Sequence, residues 1–192
     1  MTRSELTNDP YNVIITGVGG QGNVLASKVL GNILASRGLD VTIGHLRISA
    51  ASTWSPQIPR GMAHVIIAIE PIEALRVLSV YGNPETLVIS NDRPVHPVGV
   101  ISGEMDYPEH DDIRRWLTTF SRASYIIPAT DEAVKLGAPI LGNIILLGAL
   151  SETHTLPFGR ADFSEVISLM MPADKVEANL KAFDLGTQMV NQ

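Results

Sequence analysis

Gly17-Val18-Gly19-Gly20-Gln21-Gly22 sits between two apolar runs of different period. Before it, Val13-Ile14-Ile15 is continuous, the pattern of a strand covered on both faces. After it, Leu25, Ala26, Val29, Leu30, Ile33 and Leu34 recur at helical spacing within residues 23–37, forming one stripe of an α-helix. Strand, glycine-rich turn and helix in that order predict the opening unit of a doubly wound α/β domain. Gly17, Gly19 and Gly22 satisfy G-x-G-x-x-G. That spacing supplies a tight turn, close approach of backbone to a ligand or partner, and close helix–strand packing. Amide groups exposed at a helix N-terminus also favour an anion.

The same alternation continues downstream. Gly38 fits a left-handed cap after the first helix. Val41-Thr42-Ile43 and Leu46-Arg47-Ile48 both read as strands, with a very tight link between them. Residues 49–61, with Trp54, Pro56 and Pro59, read as loop. Val65-Ile66-Ile67-Ala68-Ile69 is a buried-type strand ended by Glu70-Pro71, where proline suits the first turn of a helix. On that helix Leu75 and Leu78 mark an apolar face, and Glu73 and Arg76 are spaced to pair.

Leu87-Val88-Ile89 is a further strand, closed by Asn91-Asp92-Arg93-Pro94. The segment 93–110 is rich in proline and glycine and reads as loop, with a short edge strand at residues 98–101. Asp111 and Asp112 open a helix carrying Ile113, Trp116, Leu117 and Phe120 on one stripe. Tyr125-Ile126-Ile127 adds a strand, and residues 131–136 a short helix. Gly142-Asn143 leads into Ile144-Ile145-Leu146-Leu147-Gly148-Ala149-Leu150, seven residues without a polar member. Such a helix cannot face water, so it lies in the core or in a subunit interface. Residues 162–170 and 174–185 close the chain as two helices, the second with Val176, Leu180 and Phe183 on one face. The expected fold is a single α/β domain, doubly wound, with a mostly parallel sheet and helices on both faces. Residues 1–10 read as a flexible N-terminus and 11–192 as the domain.

Composition narrows the function. A chain of 192 residues with 45% hydrophobic content suits one sizeable core, and no apolar run reaches the roughly 20 residues of a membrane span. The polar start carries no signal or transit pattern, so a cytoplasmic protein is the expectation. The net charge of −6 and the lack of any Lys/Arg block argue against nucleic-acid binding. Zero cysteines exclude disulfides, a thiolate nucleophile and thiolate-ligated zinc or iron–sulfur sites on this chain.

Known catalytic patterns are missing. A dinucleotide site needs an acidic residue at the C-terminal end of the second strand, and Gly44 and His45 stand there, with Asp40 at the other end. Gly22 is followed by Asn23, not by the Lys-Ser/Thr of a P-loop, and no G-x-S-x-G occurs. The histidines at 45, 64, 96, 110 and 154 lack metal-ligand spacing and read as surface or loop residues. Glu70-Pro71-Ile72-Glu73 reads more readily as an electrostatic helix cap than as a general base. Trp54 and Trp116 read as core or interface aromatics. No active site of its own is evident, which points to a subunit of a larger enzyme.

Four landmarks then carry a resemblance. They are the turn Gly17-Val18-Gly19-Gly20-Gln21-Gly22, the corner Glu70-Pro71-Ile72-Glu73-Ala74-Leu75-Arg76, Asn91 at a strand end, and Asn143 opening the apolar helix. In this order they resemble the gamma component of the 2-oxoacid:ferredoxin oxidoreductases, closest to the beta subunit of the indolepyruvate enzymes, over residues 11–185. The resemblance implies a complex that decarboxylates a 2-oxoacid with thiamine diphosphate, passes electrons through iron–sulfur clusters to ferredoxin, and yields an acyl-CoA. It places thiamine diphosphate and the clusters on thiamine-binding and ferredoxin-like partner chains, with none held by this chain alone. The gamma component then completes and covers the active-site region. The implied cofactor- or partner-facing residues are Gly17, Gly19, Gly20, Gln21, Gly22, Glu70, Glu73, Arg76, Asn91 and Asn143, with no catalytic residue and no metal ligand.

One departure stands out. The family carries a longer Gly-rich segment with Gln-Arg-Gly-Gly after the second strand, where this chain passes from Gly44-His45 straight to Leu46. Either the segment is deleted, or residues are missing from the chain at that point, and the tight link favours the second. The rival reading of the whole chain is a free-standing NAD(P)- or FAD-binding Rossmann-like oxidoreductase. A binding module without an enzymatic partner is a third reading, and it leaves the Glu70 corner unexplained.

Overall fold

Strand β1 (Tyr11–Thr16) is the axis of a six-stranded sheet of order β2-β3-β1-β4-β5-β6. The computed structural model describes residues 6–190. β1 leads into α1 (Asn23–Ser36), then β2 (Asp40–Thr42) and β3 (Leu46–Ser49). Next come β4 (Val65–Ala68), α2 (Pro71–Tyr81), β5 (Leu87–Asn91), α3 (Val98–Ile101) and α4 (His110–Phe120). β6 (Ala123–Ile127), α5 (Ala129–Lys135), a 3-10 turn (Pro139–Leu141), α6 (Gly142–Glu152), α7 (Arg160–Met170) and α8 (Ala173–Val190) complete the fold. The class and layering follow the sequence reading.

β1, β4, β5 and β6 run parallel, with Val13↔Val65, Val65↔Leu87 and Leu87↔Ala123 in register. Alternate residues of each strand point to opposite faces. Val13, Ile15, Val65, Ile67, Leu87 and Ile89 therefore join the core shared with α1, α6, α7 and α8. Ile14, Ile66, Ala68 and Val88 meet the smaller core under α2 and α4.

β3 pairs antiparallel with both β1 and β2, so β2 and β3 form a hairpin through Ile43, Gly44 and His45. This corrects the reading of the tight link. A short connection is ordinary for antiparallel neighbours, and it gives no ground for residues missing between Gly44 and Leu46. Inside the hairpin Arg47 is 8% exposed, with Nε donating to Asn12 Oδ1 at 3.1 Å and one terminal nitrogen to the carbonyls of Ser55 and Gln57, each at 3.2 Å. Its guanidinium also lies over the ring of Trp54, which is itself exposed. Arg47 thereby fastens the loop between β3 and β4 to the sheet.

The apolar helix α6 belongs to the core of this chain, since Gly142 through Ser151 are all buried. It packs most extensively on α8. The two backbones touch at Gly148 and Gly186, where an added Cβ would land on the carbonyls of Phe183 and Ile145. Phe163 and Phe183 stack beside this contact at 4.3 Å between centroids.

Three further expectations change. Residues 98–101 form the helical turn α3 and not an edge strand, because Val100 and Ile101 N–H both return to the Pro97 carbonyl while β6 already occupies the edge beside β5. On α4, Ile113 and Leu117 are buried, Trp116 is half-buried and Phe120 is 60% exposed. On α2, Ala74, Val77 and Leu78 form the buried face, while Leu75 is half-buried. Leu75, Trp116 and Phe120 line an open groove between the two helices. Of the expected flexible start, residues 1–5 lie outside the described residues. Leu6 packs against the core, and Asp9 Oδ2 accepts from Ala50 N–H at 3.0 Å.

Candidate functional site

All ten singled-out residues gather at the carboxyl edge of β1, β4 and β5. In doubly wound sheets that edge holds ligands, at the point where neighbouring connections leave in opposite directions. Here β1 lies between the hairpin on one side and β4 on the other.

The glycine turn is held from within. Gln21 Oε1 accepts from Val18 N–H at 2.8 Å, and Asn23 Nδ2 donates to the Gly17 carbonyl at 3.1 Å. Asn143 Nδ2, from the first turn of α6, donates to the carbonyls of Gly22 at 3.2 Å and Gln21 at 3.5 Å. Gly22 has φ +83°, and any Cβ there would strike the Asn143 amide, so glycine is required twice over. Around Gly19 and Gly20 nothing lies within 4 Å of an added Cβ, and both residues are exposed. The outward face of the turn is therefore open backbone.

Beneath it, Asn23 Oδ1 and Asn143 Oδ1 are buried and without a hydrogen-bond partner among the described residues. Buried acceptors are normally satisfied, so these two offer themselves to a donor or a water. α1 begins without a side-chain cap and without an acid in its first turn, which leaves its leading N–H groups uncapped.

The Ile69 carbonyl is the hub of the edge. Gln21 Nε2 donates to it at 3.4 Å and Asn91 Nδ2 at 3.2 Å. Asn91 is 1% exposed and also reaches the Arg93 carbonyl and the Thr130 hydroxyl, while its Oδ1 accepts from Thr130 N–H at 3.0 Å. One amide thus joins β4, β5 and the start of α5.

Glu70 is fully buried and caps α2, with Oε2 accepting from Glu73 N–H at 2.9 Å. Its Oε1 accepts from Tyr107 OH at 2.5 Å and from Val95 N–H at 3.4 Å. Burial, with the Glu70 carboxylate second, holds the Tyr107 phenol well above its usual pKa, so it stays a donor. Glu73 accepts from Thr16 Oγ1 at 3.1 Å and pairs with Arg76 at 2.5 and 2.9 Å. Hydrogen bonding to Arg76 is the main reason its carboxyl titrates below the usual range. The cap reading of this corner holds: each carboxylate is engaged in structure, and neither faces free space as a base.

A dinucleotide site finds no footing beside the turn. The neighbour of β1 on that side is β3, which runs antiparallel and ends at the opposite edge of the sheet. Beside the end of β1 stands the hairpin turn Ile43-Gly44-His45 instead, which carries no acid for a ribose. His45, in the hairpin turn, has its pKa lowered by burial and then by Arg76. His64 accepts from Asn12 N–H at 2.9 Å and stacks on Tyr11. Among the described residues no group of three or more His, Asp or Glu could hold a metal ion.

Sequence reasoning missed Thr16, Tyr107 and Thr130, which complete the network, and the Ile69 carbonyl at its centre. The threonines and the carbonyl carried no signal. Tyr107-Pro108, just ahead of the acids of α4, was the only cue to the third.

Residues 41–189 match the family model for pyruvate ferredoxin/flavodoxin oxidoreductase, a span that starts after the glycine turn. The chain is 34% identical to the indolepyruvate oxidoreductase subunit IorB of Pyrococcus horikoshii, over 95% of this chain and 96% of that protein. It is 27% identical to the 2-oxoglutarate synthase subunit KorC of Methanothermobacter marburgensis, over 92% and 94%. The fold is similar to the gamma subunit of a keto/oxoacid ferredoxin oxidoreductase from Geobacter sulfurreducens, with a TM-score of 0.62 at 16% identity over 94% of this chain and 98% of that one.

Proposed function

From the premise that this chain belongs to the pyruvate ferredoxin/flavodoxin oxidoreductase family, we propose that residues 11–192 act as the gamma-type subunit of a 2-oxoacid:ferredoxin oxidoreductase of the indolepyruvate type. Thiamine diphosphate and the iron–sulfur clusters then reside on partner chains, with ferredoxin and CoA engaged through the complex. A cluster needs thiolate ligands, and a chain with no cysteine does not fit one. The role of this subunit is to complete and cover the active-site region.

The observation that carries this reading is the convergence of the four landmarks on one edge, where every carboxylate is committed to structure and the exposed backbone of Gly19 and Gly20 faces outward. A surface so built positions a neighbour and performs no bond-breaking itself. The test is reconstitution. Indolepyruvate oxidation coupled to ferredoxin reduction should need both the larger subunit and this chain, and the isolated chain should have none. Turnover by the isolated chain, or micromolar binding of NADH, NADPH or FAD to it (about −8 kcal/mol), would favour the free-standing oxidoreductase.

A further inference from the structure

Between β5 and α4 the chain makes an ordered excursion, residues 93–108, that the network at the carboxyl edge holds by its two feet. Glu70 Oε1 binds both Val95 N–H, near the outgoing end, and Tyr107 OH, near the return. Asn91 Nδ2 holds the Arg93 carbonyl at 3.2 Å, and the ring of His96 meets Tyr107 edge-on. Within the strap, α3 is followed by a closed turn in which Glu104 N–H and Met105 N–H both donate to the Gly99 carbonyl, at 2.8 and 2.9 Å.

This well-held segment presents apolar side chains to solvent. Val98 is 82% exposed, Ile101 75%, Met105 61% and Val95 43%. Val98 and Ile101 are three apart on one helical turn and so share a face. Single exposed apolar residues are ordinary, but a cluster on an ordered element marks a contact surface. Beside them stand Glu104, Asp106, Glu109 and Asp111, all exposed and none in an ion pair among the described residues. The nearby cations are already taken: Arg93 by Asp131, Arg114 by Asp92 and Arg115 by Asp112.

We propose that the strap of residues 93–108 is a docking finger that seats this chain on the larger, thiamine-binding subunit, in an apolar cleft rimmed by lysine or arginine. The proposal rests on the functional reading above. Charge selects the occupant. A second copy meeting this surface symmetrically would set four unpaired carboxylates against their own images, in a chain whose net charge is already −6. The anchor residue Glu70 follows Ile69 directly, so the finger is continuous with the edge where the landmarks converge.

The test uses the purified larger subunit, titrated with wild-type chain and with three variants: Val98→Ser with Ile101→Ser, Glu104→Lys with Asp106→Lys, and the control Leu169→Ser, whose side chain is 83% exposed on α7. Both strap variants should bind at least about tenfold more weakly, roughly 1.4 kcal/mol, and the charge-reversed one should lose much of its salt dependence. Leu169→Ser should bind as wild type. A photoreactive side chain at position 101, in the assembled complex, should cross-link to the larger subunit. Equal affinity of the strap variants and wild type, or cross-links only to a second copy of this chain or to none, overturns the proposal. Failure of the wild-type chain itself to bind the larger subunit would instead overturn the functional reading.

Discussion

Gln21 and Asn91 donate to the same backbone carbonyl, that of Ile69, from the two sides of β4. Gln21 belongs to the glycine turn after β1, and Asn91 ends β5. Through one oxygen they tie the turn to Ile69, just past the end of β4, and the next residue, Glu70, anchors the strap and caps α2. The candidate surface is therefore one mechanical unit, and its parts should fail together.

Asn91 is the residue whose loss should show this most clearly. Asn91→Ala removes a buried amide with partners on three segments and should cost about 2–4 kcal/mol. At roughly 2–4 °C per kcal/mol for a chain of this size, the melting midpoint should fall clearly. Asn91→Asp should do no better, because a carboxylate would face the carbonyls of Ile69 and Arg93. A midpoint unchanged in both variants would contradict the network.

Glycine substitutions should separate packing from recognition. Gly148→Ala drives a methyl into the Phe183 carbonyl, which backbone cannot readily yield, and should cost about 3 kcal/mol or more. Gly19→Ala meets nothing within 4 Å and should shift stability by no more than about 0.5 kcal/mol. If the outward face of the turn meets a partner, Gly19→Ala should nonetheless weaken assembly with the larger subunit. Wild-type assembly together with wild-type stability would remove the turn from the interface.

A pH effect should trace in part to His64, with His45, lowered in the same direction, adding to it. Burial lowers the His64 pKa from 6.5, and its Nδ1 must stay unprotonated to accept from Asn12 N–H. The unfolded chain then binds a proton that the folded chain resists. The stability from this group is full above about pH 6.5 and is lost as pH falls toward the depressed folded value. His64→Gln should flatten the fall between pH 7 and 5 in a series of melts. An identical slope in wild type and variant would show that other groups carry it.

Local chemistry made much of this legible. The period change across Gly17 to Gly22 placed β1 and α1, and Glu70-Pro71 placed the start of α2. The hairpin was hidden because antiparallel pairing of β3 with β1 is a long-range choice that a tight link alone does not announce. The stripe on α4 told which residues are apolar, but coverage depends on neighbours. Leu117 found a core, whereas Phe120 stands at an open groove. The named site residues did converge, yet their common point is a backbone carbonyl, and every residue has one of those. That Gly19 and Gly20 stay uncovered shows only in the folded turn, because the spacing of the glycines does not say which of them other elements will cover.

The most direct test of the account is native mass spectrometry of the protein purified under anaerobic conditions from its source. The chain should be held in an assembly with a larger polypeptide that carries thiamine diphosphate and iron–sulfur clusters, and 2-oxoacid oxidation should follow that assembly. Recovery of this chain only by itself or as multiples of itself, with the oxidation elsewhere, would contradict the account.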